Sequence, residues 1–397
     1  MGTAGVVTEY NPFHTGHAHQ LAETRKALGE GSALVCVMSG NFVQRGECSV
    51  LDKWSRSRCA LQGGADLVLE NPTPWAAASA ETFARGAVGV LAATGVVDTL
   101  SFGSEAGTLE ELRTAARCLD GAEYRESLRR ELDLGLPFAA ARERAARSVM
   151  GAAAACLATP NNNLAVEYLR ALPPGMAAMT VKRVGAAHDG AAAEGFASAS
   201  ALRALLHSGE LEKAEAYLPA GTMAELTRAV EEGRAPASLL QCERAVLARL
   251  RTMTEADFAA LPDGGAAEGL PARLVRAAVG ALTLEEFCTA AKTKRYAHAR
   301  IRRLALWAFL GLTEADRPAH VPYVRVLGMN HRGRELLSRM KKTCVLPVIT
   351  KPAHARRLEG EGRALFETEA RCTNLFALCT PQPQPCGLEW TTGPVIL

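Results

Sequence analysis

The stretch GVVTEYNPFHTGHAHQL, Gly5–Leu21, decides how the chain is read. A short apolar run, Gly5-Val6-Val7, breaks at Asn11-Pro12, and two histidines then bracket a glycine in His14-Thr15-Gly16-His17. An amphipathic stretch follows from His17 to Leu28. Asn-Pro punctuates the end of an extended segment. A strand therefore hands over to a helix, with two imidazoles at the helix N-terminus, where free backbone N–H groups favour an anion.

Working outward, strand-like runs recur at Gly5–Thr8, Ala33–Ser39, Asp66–Glu70 and Asp98–Gly103. Helical patterns lie between them at His17–Leu28, Asp52–Leu61 and Trp75–Ala93. That alternation predicts βαβ units and an α/β fold on a parallel sheet. Ligands of such sheets bind at the carboxyl ends of strands. Each polar cluster of this region falls there: His14 and His17 after the first strand, Ser39–Glu47 after the second, Phe102–Glu105 after the fourth. Helices are expected from Thr108 to about Leu172, then a returning strand at Met179–Val184. A helix start follows at Ser198, and helices continue to Gly311, broken at Leu261–Gly265. A small α/β section with strands near Tyr323–Leu327 and Val345–Ile349 comes next, and Thr380–Pro385 opens an extended, loose tail.

Composition narrows the class. No apolar run approaches the ~20 residues of a membrane span, and no charged leader precedes the first strand, so a cytoplasmic protein without membrane association is expected. The eleven cysteines are odd in number and form no C-x-x-C, which argues against a disulfide framework or zinc ribbon. Reduced, mostly buried thiols are expected; Cys372, Cys379 and Cys386, seven apart, read as one helix face. Ala291–Arg357 holds sixteen Lys and Arg against three acids, a balance of +13 in a chain of net +3. The segment from Leu358 carries −3, leaving −7 for the first 290 residues. An acidic front and a basic rear suggest that the rear meets a polyanion.

The histidine pair could hold a metal, but no third ligand stands at convincing spacing and His-Glu-x-x-His is absent. Gly-Lys occurs nowhere, which removes a Walker A loop, and Gly29-Glu30-Gly31 precedes a strand and lacks the third glycine of a dinucleotide fingerprint. Phosphate chemistry fits better. Nucleotidyl transfer asks for positioning and charge neutralisation, which imidazole donors beside a helix N-terminus supply. Gly16 permits close backbone approach.

His14-x-Gly16-His17 thus resembles the HIGH-type motif of the nucleotidyltransferase superfamily. With EYNPFHTGH, MSGNFVQRGE, LDKW (Leu51–Trp54), FGSE (Phe102–Glu105), PNN (Pro160–Asn162), TVKRVGAAHD (Thr180–Asp189), ASAS (Ala197–Ser200), TKRYAHARIRR (Thr293–Arg303), YVRVLGMN (Tyr323–Asn330) and LPVITK (Leu346–Lys351), the chain resembles the tRNA(Met) cytidine acetate ligase family from Gly5 to about Leu378. The resemblance implies a Rossmann-like nucleotidyltransferase domain over residues 1–195, a helical, basic tRNA-binding region with a small α/β section over 196–378, and a tail over 379–397. It implies acetate activation by ATP, with acetyl-adenylate passed to N4 of the wobble cytidine of elongator methionine tRNA, and no obligate protein partner. It maps the ATP site onto Val7, Thr8, Glu9, Tyr10, Asn11, Pro12, Phe13, His14, Thr15, Gly16, His17, Ala18, His19 and Gln20, then Gly103, Asn161 or Asn162, and Arg183. The chain reads Asn161-Asn162-Asn163, so the choice between the first two stays open. His14, His17 and Arg183 would stabilise charge in the reaction, and Mg²⁺ would accompany ATP, held by phosphates and water rather than by a protein ligand.

Asn41, Gln44 and Arg45 could hold acetate, the target base or the loop itself. Lys53 and Arg56, one turn apart, could reach phosphate or be solvated. Lys292, Lys294, Arg295, Arg300, Arg302 and Arg303, with Tyr296 and His298 among them, are dense enough to neutralise RNA phosphates. Two departures from the family pattern bear on RNA binding: Asn374 in place of an aspartate, and Ala187-His188 in place of an aromatic-His step. Two rival readings remain, a nucleotidyltransferase of a small metabolite and a non-catalytic RNA-binding protein.

Overall fold

In the computed structural model, which describes residues 2–136, 138–183 and 196–397, one twisted sheet organises the chain. Its strands are β1 (Thr3–Thr8), β2 (Ala33–Ser39), β5 (Leu67–Asn71), β6 (Thr99–Ser104), β7 (Ala177–Lys182), β8 (Val324–Met329), β9 (Val348–Ile349) and β10 (Val395–Ile396). A short hairpin, β3 (Phe42–Val43) and β4 (Glu47–Cys48), stands outside it. The order is β10-β8-β5-β2-β1-β6-β7, with β9 also on β8. β1, β2, β5, β6 and β7 are mutually parallel, whereas β8 runs antiparallel to β5. β2 reads ALVCVMS and is buried throughout, as expected of a central strand covered on both faces.

The expected parallel sheet is therefore present with an added antiparallel edge. The separate α/β section expected near Tyr323–Ile349 is instead that edge, built from β8, β9 and β10. The tail is not loose. It forms a helical turn at Leu388–Thr391 and then β10. Asn374 helps hold it, its Oδ1 accepting from Gly387 N at 2.8 Å. The returning strand, expected at Met179–Val184, spans Ala177–Lys182; Gly185–Asp189, with its Ala-His departure, lies outside the described residues.

Helix α1 (Thr15–Leu28) packs on one sheet face, tied by Arg25 to Asp66 at 2.9 Å, while Asp66 also accepts from Leu34 N in β2 at 2.8 Å. α2 (Lys53–Gln62) is capped by Asp52, which accepts from Trp54 N and Ser55 N. A largely helical body over Leu239–Leu312 has its own apolar core around Phe258, Phe287 and Trp307. Trp307 Nε1 donates to Ala77 O at 2.7 Å and joins that body to the sheet end that carries the site. All eleven cysteines are free thiols; the helix Gly360–Phe376 ends before Cys379, so the expected single helix face carries only Cys372, and Cys372 and Cys379 are buried whereas Cys386 is exposed.

Candidate active site

The carboxyl ends of β1 and β6 open into a cleft of about 350 Å³. His14 is the N-cap of α1, and its Nδ1 accepts from Gly16 N at 3.1 Å. His17 Nδ1 accepts from His14 N at 3.3 Å. A nitrogen that accepts a backbone N–H carries no proton, so both neutral rings hold theirs on Nε2. The two rings stack at 3.7 Å between centroids, and Tyr10 meets His17 edge-on at 4.9 Å. Burial lowers the His14 pKa to about 3, with Arg183 and Arg203 adding repulsion, and burial likewise holds His17 well below 6.5. Near pH 7 the pair is thus neutral and presents Nε2–H donors.

Gly16 also has a steric role inside the motif. A Cβ there would come within 2.9 Å of His14 Cε1, so the glycine makes room for the folded-back imidazole. Tyr10 adopts φ 48°, a left-handed turn that lets the chain double back between β1 and α1.

Of the stretch Val7–Gln20, the cleft is lined by Val7, Thr8, Glu9, Tyr10, Asn11, His14, His17 and Gln20. Gly16 and His19 line a small adjoining hollow, together with the two motif histidines and Arg183. Pro12, Phe13, Thr15 and Ala18 line neither, and buried Phe13 packs edge-on against Tyr10 at 4.8 Å. Gly103, Asn161 and Arg183 all reach the cleft. Asn162 does not: it is buried, and its Oδ1 accepts from Glu105 N at 3.0 Å and Ala106 N at 3.1 Å. Asn161 Nδ2 donates to Glu105 Oε1 at 2.5 Å.

The Ser39–Glu47 loop divides. Gln44 and Arg45 line the cleft, with Gln44 N donating to Glu9 Oε1 at 2.7 Å. Burial raises the Glu9 pKa, opposed by that bond and by Arg203, Arg45 and Arg56. Asn41 is buried away from the cleft, its Oδ1 accepting from Lys53 N at 2.9 Å and its Nδ2 donating to Thr373 Oγ1 at 3.2 Å. Lys53 and Arg56 are neither phosphate ligands nor solvated. Lys53 is fully buried between Glu70 at 2.6 Å and Glu389 at 2.9 Å. Arg56 donates to the carbonyls of Glu9, Ser39, Gly40 and Leu51, clamping the two strand ends that frame the cleft.

Sequence reasoning missed Arg203, from the helix Ala199–His207, which lines the cleft and donates to Asn11 O at 3.0 Å. Only the ASAS word upstream marked that helix. The apolar lining residues Phe83, Phe102, Leu164 and Tyr168 were also invisible, because they meet only in three dimensions.

The basic run splits as well. Lys292, Lys294 and Arg295 are exposed. Arg300 donates to Asp263 O at 2.9 Å and pairs with Glu268 at 3.2 Å, while Arg302 pairs with Glu47 at 2.5 Å, so both brace the fold. Arg303 is half-buried, and burial lowers its pKa. Among the described residues, no group of three His, Cys, Asp or Glu is placed to hold a metal, and no helix is long and apolar enough to cross a membrane.

The HIGH Nucleotidyl Transferase family model matches residues 1–388. The tRNA(Met) cytidine acetate ligase of Thermoanaerobacter sp. (strain X514) is 36% identical over 403 residues, covering 98% of each chain. That of Caldanaerobacter subterraneus subsp. tengcongensis is 37% identical over 393 residues, covering 95% of each. The chain belongs to the tRNA(Met) cytidine acetate ligase family. It is thus a ligase of the HIGH nucleotidyltransferase class, with the α/β fold of that class. Thermotoga maritima TmcAL, in apo form, superposes with a TM-score of 0.93 at 34% identity over 100% of both chains. TmcAL bound with alpha-thio ATP superposes with a TM-score of 0.90 at 33% identity, again over 100% of both. Binding of ATP by this family member is supported by that likeness.

Proposed function

We propose that the cleft binds ATP and acetate, forms acetyl-adenylate, and acetylates N4 of the wobble cytidine of elongator methionine tRNA. The observation that carries the reading is the gathering, in one cleft, of two neutral Nε2–H imidazoles at the α1 N-terminus with Arg183, Arg203 and the apolar side chains of Phe83, Phe102, Leu164 and Tyr168. The apolar side chains suit adenine, and the donors suit phosphate. Acetate oxygen attacks the α-phosphorus, the bond to the bridging oxygen breaks, and pyrophosphate leaves. His14, His17 and Arg183 stabilise the charge that grows on the phosphate oxygens; one such donor is worth ~3–4 kcal/mol. The N4 lone pair then attacks the acetyl carbonyl carbon, the carbon–oxygen bond to AMP breaks, AMP departs with the electron pair, and the N4 proton goes to solvent. The anhydride is reactive enough for orientation to suffice.

Of the two residues left open, Asn161 is the one assigned to ATP, since Asn162 is spent on the Glu105 turn. Mg²⁺ bound with ATP would be held by phosphate oxygens and water and would supply charge neutralisation there, while the cleft carboxylates Glu9 and Glu47 accept from Gln44 N and Arg302. The tRNA backbone lies along Lys292, Lys294 and Arg295, and residues 196–378 supply this surface. The reaction belongs in the cytoplasm, where ATP and tRNA meet. Incubation with labelled acetate and ATP, followed by trapping of acetyl-adenylate and pyrophosphate, tests the first step. A protein that binds ATP but yields neither product would overturn the reading.

A further inference from the structure

Beside the ATP cleft lies a second cavity of about 420 Å³, and the two share a wall made by Glu47 and Arg203. Its floor is apolar: Leu239, Leu284, Cys288 and Ala305. Its rim carries Arg302 and Leu240, and Leu240 is 66% exposed despite being apolar.

We propose that this cavity receives the flipped-out acceptor cytosine, with Glu47 and Arg203 reading its Watson–Crick edge. The inference rests on the reading of the chain as a tRNA cytidine acetylase, and names the place where the second substrate binds. A base that undergoes chemistry must leave its stack and enter a pocket. The shared wall sets such a base directly against the cleft where the acetyl group is activated.

The polarity matches cytosine. A carboxylate accepts from the N4 amine, as acidic side chains do when they read this base. Glu47 Oε1 is held by Arg302 at 2.5 Å, whereas Oε2 stands 3.9 Å from Arg203 Nε, beyond hydrogen-bonding range. A carboxylate oxygen beside a guanidinium N–H offers an acceptor for N4 and a donor for N3 or O2. Uracil, with O4 and N3–H on that edge, would set oxygen against carboxylate and N–H against guanidinium. The mouth carries Arg302 paired with the exposed Glu285 at 3.4 Å, and the helix Leu284–Ala291 that lines the cavity ends at exposed Lys292 and leads into Lys294 and Arg295. An RNA strand neutralised there has its base within reach of the rim. In the transfer step the N4–carbon bond forms, the carbon–oxygen bond to AMP breaks with its electrons going to AMP, and the amine proton leaves to solvent; Glu47 orients the amine and stays ionised.

The test uses the full chain with Leu284→Trp, which fills the floor from a half-buried position, and Leu240→Asp, which puts an acid at the rim. Both are measured for tRNA acetylation and for affinity toward alpha-thio ATP. The expected result is a loss of roughly tenfold or more in acetylation at subsaturating tRNA, the scale of one base contact, with nucleotide affinity unchanged. Wild-type acetylation rates in both variants overturn the site. A wild-type protein that acetylates no tRNA overturns the underlying reading instead. In parallel, methionine tRNA carrying 5-iodocytidine at the acceptor position is photocrosslinked to the wild-type protein. Crosslinks to Leu239–Leu240 or Leu284–Cys288 support the assignment whether or not a variant folds, and crosslinks confined to other surfaces refute it.

Discussion

Replacing Lys53 by Met should destabilise the protein by about 3–5 kcal/mol, the cost of removing one partner from a buried ion pair. Lys53 and Glu389 are fully buried, as is Glu70, and Arg325 is nearly so. Two cations face two carboxylates: Lys53 lies 2.6 Å from Glu70 and 2.9 Å from Glu389, while Arg325 lies 2.8 Å from Glu389 and 3.6 Å from Glu70. Glu369 beside them is pushed up to about 8, chiefly by burial and then by Glu70, so it is mainly neutral at pH 7 and the cluster balances. Without Lys53, Arg325 alone faces both carboxylates, and one must bind a proton or remain uncompensated. At about 2.1 cal/mol/K per residue, a chain of 397 residues that melts as one unit drops its midpoint by about 4–6 °C. Differential scanning calorimetry at pH 7 measures this. The double variant Lys53→Met/Glu389→Gln removes one charge of each sign and should recover much of the loss. A single variant that melts with the wild type, or a double variant that loses the sum of the two singles, refutes the charge-balance reasoning.

Glu369 gives a pH-dependent prediction. Its folded pKa of about 8 lies above the ordinary 4.5, so the folded state binds the extra proton and stability falls as pH rises between those values. Glu369→Gln keeps the acceptor for Thr73 N, and melting curves should show it unchanged at pH 5 and more stable than wild type at pH 8. His17→Ala should slow acetyl-adenylate formation by about two to three decades, read as pyrophosphate release under saturating substrates; an unchanged rate removes the role given to the ring. Lys292→Ala and Lys294→Ala should each weaken tRNA binding and lower the log–log salt slope by about 1, measured by filter binding across a salt series. Asn162→Ala should cost about 1–3 kcal/mol of stability by leaving the half-buried Glu105 and Ala106 N–H groups without their Asn162 acceptor, while affinity for an ATP analogue falls less than in Asn161→Ala.

The N-terminal half of the sheet was legible because its cues are local: apolar runs of strand length, then glycine, proline or a cap residue, at a period of about thirty residues. His14 and His17 could be assigned as donors because spacing alone puts them at a helix start. What sequence could not supply was pairing across the chain. Val324–Met329 reads as a strand, but nothing local says that it lies antiparallel beside Leu67–Asn71. Asn41, Lys53 and Arg56 carry polar side chains in a site-bearing region, and only the positions of Thr373 beside Asn41, of Glu70 and Glu389 around Lys53, and of the Glu9, Ser39, Gly40 and Leu51 carbonyls around Arg56 show that they are structural braces. The Pro- and Gln-rich tail looked unstructured because its partners, Lys53, Arg325 and Asn374, lie outside it. Arg203 was hidden for the same reason, since a lone arginine in an amphipathic helix shows nothing of the cleft beyond it.

The central claim is that one cleft activates acetate and delivers it to a cytidine. The most direct test incubates the protein with ATP, isotopically labelled acetate and elongator methionine tRNA, then digests the RNA and analyses its nucleosides by mass spectrometry. The account predicts label in N4-acetylcytidine at the wobble position, dependent on ATP and absent from other tRNAs. Label recovered only in a small metabolite, or no labelled nucleoside from a protein that still binds alpha-thio ATP, would contradict it.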